Sequence, residues 1–128
     1  MRVKIGRRLH RLGAIAVKNS VWALPNRAAA LEDLGWVAEE IQRAGGDASL
    51  LSASFVLGLR DADVQALFMA SREGDYRKLL AEVRVAEKAA KRQGDDARDA
   101  RDEPPVLARL RRRAREIEAI DFFGLPIR

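Results

Sequence analysis

Lys4, Arg7, Arg8 and Arg11 recur at i, i+3, i+4 and i+7, a spacing that gathers four cations on one face of a helix. Arginines grouped in this way can grip oxyanions, because the guanidinium presents a planar fork of donors to phosphate and can read guanine edges bidentately. No acidic residue precedes Glu32, whereas Arg2, Lys4, Arg7, Arg8, Arg11, Lys18 and Arg27 all do. The net charge of +5 is therefore concentrated near the start of the chain. The ordinary meaning of a charged helix face is solvation. Here the helix lacks the carboxylates that usually compensate such a face at i+4, and like charges at this spacing repel by ~0.2–0.5 kcal/mol per pair. That cost is easier to understand if the partner is an anion.

Covalent chemistry has little support. His10 is the only histidine and cysteine is absent, which removes thiolate nucleophiles, thiolate zinc sites and disulfides. No HExxH spacing occurs. Gly45-Gly46 lacks the context of a phosphate-binding or dinucleotide loop and reads as a helix stop. Glu39-Glu40 and Asp95-Asp96 are adjacent carboxylates of the kind found on solvated surfaces. The expectation is a protein that is not an enzyme, with no catalytic residue, metal site or cofactor. A second cluster, Arg111-Arg112-Arg113, stands beside Glu116 and Glu118, so internal compensation is the simpler reading there. Trp22 and Trp36 read as core or interface anchors, since single-strand binders interleave several aromatics with their cations.

The elements that must position the cations follow from periodicity. Residues 3–12 predict a helix whose apolar stripe is Ile5, Leu9 and Leu12, stopped by Gly13. Ile15-Ala16-Val17 and Val21-Trp22-Ala23-Leu24 predict short strands, with Lys18-Asn19 either a tight turn or a bulge within one longer strand. Asn26 is placed to cap a helix over 27–44 that buries Leu31, Leu34, Val37, Ala38 and Ile41. Gly45-Gly46 ends it, and Ala48 to Phe55 predicts a third strand. The order helix, strand, strand, helix, strand matches a βαββαβ unit without its first strand. Beyond it, Asp61 is placed to cap a helix that Gly74-Asp75 breaks or bends. A second helix runs over 76–92, and a third over 106–120 aligns Leu107, Leu110, Ala114 and Ile117.

The expected fold class is thus α+β, a ferredoxin-like small sheet lacking its first strand, followed by a C-terminal helical extension. Residues 1–93 form the ferredoxin-like domain, 94–105 an acidic linker or loop, and 106–128 a C-terminal helix and tail on the same domain. At 128 residues the chain suits one core. No apolar run approaches the ~20 residues of a membrane span, and the short run Ala14 to Val17 does not make a signal peptide. A cytoplasmic protein with no membrane partner is expected.

Several segments resemble, in order and spacing, the N-terminal domain of the bacterial chromate-resistance regulator ChrB. They are Arg8-Leu9-His10-Arg11-Leu12-Gly13-Ala14, Lys18 to Pro25 (KNSVWALP), Trp36 to Gly46 (WVAEEIQRAGG), Asp75-Tyr76 and Ile117 to Gly124 (IEAIDFFG). The likeness spans nearly the whole chain, and the middle, ferredoxin-like domain of PaaX-type repressors is more distantly similar. The resemblance implies transcription regulation, with operator DNA of a chromate-resistance operon as partner. Carried over residue by residue, Arg7, Arg8, Arg11 and Lys18 become DNA-contacting candidates, and Lys4 joins them through the shared stripe. The family's usual further strand before the basic helix has no counterpart here, so the expectation is either a sheet with one fewer strand or an exposed edge that pairs with another chain. Two alternatives stand beside DNA binding: a dimerisation or protein-interaction module, with a homodimer as partner, and an oxyanion-binding domain that holds chromate without DNA.

Overall fold

Short-range signals account for most of the elements in the computed structural model, which describes residues 2–92 and 104–124. In chain order these are α1 (Arg2–Arg11), β1 (Ile15–Lys18), β2 (Val21–Ala23), α2 (Ala28–Arg43), α3 (Asp61–Arg92) and α4 (Pro105–Ala119). The architecture is α+β, with a two-stranded antiparallel sheet and four helices among the described residues. Contacts group the chain into two units, Met1–Phe68 and Met69–Arg128.

The first unit is built around two helix ends of the same kind. After α1, the N–H of Gly13 donates to the His10 carbonyl and that of Ala14 to the Leu9 carbonyl, both at 3.0 Å. This is the Schellman pattern, which requires a left-handed residue; Gly13 supplies it at φ 87°. The motif also brings Ala14 back onto Leu9, and with Val37 of α2 these two buried residues form the core. Ile5, Leu12, Trp22, Leu24, Leu34 and Ile41 pack around them. Gly45 ends α2 in the same way, at φ 89° with matching bonds from Gly45 to Gln42 and from Gly46 to Ile41.

The chain folds back as a hairpin and does not continue as one longer, bulged strand. Asn19 and Ser20 form the turn, and the register slips by one residue between Ala16 and Lys18. Ser20, not Asn19, takes the positive φ, at 64°. The slip adds a residue on β1, which shifts the left-handed position to the end of the loop.

Three expectations in this unit are corrected. No strand forms over Ala48 to Phe55; residues 46–55 carry no regular structure, and Leu51 is 78% exposed. A strand is satisfied only by a neighbouring backbone, and β-propensity alone does not supply one. The specifically ferredoxin-like arrangement therefore goes beyond the two-stranded sheet described here. Asn26 does not cap α2 either. Arg27 occupies the N-cap position without a side-chain bond, while Asn26 Nδ2 donates to Ser52 Oγ at 2.9 Å. Leu31, expected to be buried, is 46% exposed at the start of α2.

At the start of α3 the capping is done by Asp63, not Asp61: the Asp63 carboxylate accepts the Arg60 N–H at 3.0 Å, one half of a capping box. The helix then runs unbroken through Gly74-Asp75. An interior glycine costs only ~1 kcal/mol, and the contacts that Asp75 and Tyr76 make in the second unit outweigh it. There α4 begins with Pro105 at its first position, where the missing N–H is no loss, and buries Leu110 and Ile117. The linker expected over 94–105 lies outside the described residues apart from Pro104 and Pro105, as does the tail beyond Gly124.

Candidate nucleic-acid interface

The apolar stripe of α1 decides where its cations go. Leu9 is buried and Ile5 and Leu12 half-buried against the core, so the opposite face of the helix must point to solvent. Lys4, Arg7 and Arg11 are exposed there, and among the described residues they have no carboxylate partner. Lys18 is also exposed, on the face of β1 away from the buried Ile15. His10 is exposed as well, next to the cations in sequence.

Arg8 behaves differently. It lies at the edge of the stripe that faces α2, and its Nη1 donates to Glu40 Oε2. Both side chains are about one-third exposed, so the pair is worth ~0.2–1 kcal/mol to stability. Its larger effect is on the charge pattern: one of the four cations is neutralised from a different helix. Sequence reasoning placed Glu40 among the solvated residues of α2. The pairing carries no local sequence signal, because it depends on how two helices cross.

On another flank of α1, a cleft of about 880 Å³ opens above Ile5, Leu9, Trp22 and Ile41, next to the Asn19-Ser20 turn. Asp47 is the one charged residue lining it, among the described residues. Its lining therefore offers an oxyanion no cationic donor.

The second unit holds a polar cluster that was not foreseen. Arg72 is only 1% exposed. Its Nη1 donates to the Ile120 carbonyl at 3.2 Å and its Nη2 to Ser71 Oγ at 2.8 Å. Nε lies 3.0 Å from Asp75 Oδ2 in an ion pair without the alignment of a hydrogen bond. One turn further on, the Tyr76 hydroxyl donates to Asp121 Oδ2 at 3.0 Å. These contacts hold the end of α4 and the Asp121–Gly124 turn against α3. The i, i+3 spacing of Arg72 and Asp75 was the available signal, but it was masked by reading Gly74-Asp75 as a break. Arg72 is enclosed and already engaged, so it has no face to offer a ligand.

On α4, Arg113 pairs with Glu116 at 3.3 Å and Arg109 reaches Glu82 of α3 at 3.7 Å. Compensation on this helix is therefore partial, while Arg112 and Arg115 stay exposed. Among the described residues no group of acidic residues and histidine is placed to hold a metal ion, and no helix is long and apolar enough to cross a membrane.

What the first unit offers chemically is a helix with three exposed cations on one face that lack a carboxylate partner among the described residues, and a fourth paired with Glu40. A family described as "Protein ChrB, N-terminal" matches residues 2–128. No curated protein and no solved structure matches the chain.

Proposed function

Because the chain belongs to the ChrB N-terminal family of chromate-resistance regulators, we propose that it is a DNA-binding domain of such a regulator, acting on the operator of a chromate-resistance operon through the cationic face of α1. The observation that carries this reading is the exposure of Lys4, Arg7 and Arg11 on one face with no carboxylate partner among the described residues. Lys18, exposed on β1, and Arg8, once released from Glu40, extend the same set.

Phosphate contacts position a protein on the duplex, and contacts to base edges give it sequence preference. Three to five cations suit the first task. Each phosphate neutralised steepens the log–log salt dependence of binding by about 0.9. Arginine can also perform the second task by bidentate contact with guanine. Nothing in the reading requires turnover, a cofactor or a metal.

The test is a salt titration of binding to DNA from upstream of the chain's own gene, run beside a scrambled duplex. Tighter binding to the upstream DNA, with a salt slope of about 3 or more, is expected. Equal affinity for the two duplexes would remove the operator-specific reading and leave general electrostatics. No binding at low salt would remove DNA as the partner.

A further inference from the structure

Residues 48–59 contain no charged residue (ASLLSASFVLGL), between Asp47 and Arg60. The run is rich in apolar residues and has no proline, which is the composition of a segment that pairs as a strand. Yet it is largely exposed: Leu50 by 40%, Leu51 by 78%, Phe55 by 46%, Val56 by 96% and Leu57 by 93%. Side chains of this kind are rarely left together in water unless another surface covers them.

The same unit carries a matching deficiency. Its sheet has only two strands among the described residues, and an isolated two-stranded hairpin is marginal in water. β2 has an unpaired edge, and its Val21 remains 52% exposed. The charge-free run is tied to its own unit by side chains and carbonyls rather than by a ladder. Asn26 donates to Ser52 at 2.9 Å, and Gln42 donates to the Ala48 carbonyl at 3.2 Å. One chain thus displays both an unpaired strand-forming segment and an unpaired strand edge.

We infer that the chain forms a two-fold homodimer in which the 48–57 segment of each copy adds to the free edge of β2 in the other. The occupant is a second copy because each chain carries both halves of the contact, so that one two-fold axis satisfies both edges and closes the assembly. Charge points the same way. A chain of net charge +5 repels its own copy, and two copies can approach most closely where neither carries charge; Val21–Ala23 and 48–59 are both charge-free. The area is of the right order as well. With residue areas of ~150–200 Å², the five exposed fractions amount to roughly 600 Å² per copy, about three-quarters of the ~800 Å² per partner of a stable interface, before the backbone and the receiving β2 edge are counted. This inference does not depend on DNA binding.

Sedimentation of the full chain over a wide concentration range, without DNA, tests it. The expected result is a reversible shift from monomer to dimer, with amide exchange slowing at both 48–57 and Val21–Ala23 as the dimer fills. Val56→Lys with Leu57→Lys should raise the dissociation constant at least about tenfold, because each side chain gives up burial worth more than a decade of affinity. Thermal unfolding of the dilute, monomeric variant should match that of the dilute parent. A parent that stays monomeric at every concentration overturns the inference, even if the 48–57 amides are protected, since the segment then closes on its own sheet. A dimer that the two lysines do not weaken also overturns it, and so do aggregates that grow beyond two copies.

Discussion

The Tyr76 hydroxyl donates to Asp121 Oδ2 at 3.0 Å, joining residues 45 positions apart. The bond fixes the turn that follows α4 onto the middle of α3. Tyr76→Phe keeps the ring and removes only the donor, so it should lower the stability of the second unit by about 0.5–1.5 kcal/mol. Urea unfolding with an unchanged m-value would show the loss; an unchanged midpoint would mean that the ring alone holds the turn.

The neighbouring Arg72 should behave more severely. Arg72→Met leaves Asp75, whose side chain is 11% exposed, without its cation, and removal of one partner from a buried pair typically costs ~3–5 kcal/mol. Adding Asp75→Leu should recover a substantial part of that loss, because the stranded charge goes with it. A double variant no more stable than the single one would show that the Ile120 and Ser71 bonds matter more than the ion pair.

For the cationic face, Arg7→Gln with Arg11→Gln should weaken DNA binding and reduce the log–log salt slope by up to about 1.8. Melting temperature should barely change, since both side chains are exposed and free of carboxylate partners among the described residues. A large drop in melting temperature would show that the face is structural.

Glu40→Gln provides the opposite perturbation. It releases Arg8 and adds one unit of net positive charge, so DNA affinity at low salt should rise and the salt slope steepen by up to about 0.9. Stability should fall by less than about 1 kcal/mol. Weaker DNA binding would mean that Glu40 orients Arg8 for its contact instead of withholding it.

In the hairpin, Ser20 sits at φ 64°, a region that costs an L-residue about 1–2 kcal/mol and glycine much less. Ser20→Gly should leave stability unchanged or raise it by up to about 1 kcal/mol, whereas Ser20→Val should lower it. Thermal unfolding of the two variants side by side distinguishes them; equal effects would show that the turn relaxes to another type.

Features set by adjacent residues were legible in the sequence. Gly13 and Gly45 announced helix ends because few other residues tolerate the conformation those ends need. Ile5, Leu9 and Leu12 announced which face of α1 is buried, and hence which cations are exposed. Features that depend on a distant partner were not legible. Leu50 to Leu57 has the composition of a strand, but a strand exists only where an edge receives it. Gly74 weakens a helix locally, yet Arg72 and Tyr76 on either side of it are held by the end of α4 and its turn, and packing prevailed. The Arg8–Glu40 pair likewise arises only from the crossing of α1 and α2.

The cluster of Leu9, Ala14 and Val37, with the side chains packed on it, lies between Ile5 and Ile41. Contacts this local form early, because little loop entropy is lost in closing them. On a ribosome, α1 and its cations can be seated while the residues of α3 and α4 are still being synthesised, since units close as they emerge. Pulse-labelled amide exchange during refolding should find Leu9 and Val37 protected ahead of Leu110 and Ile117.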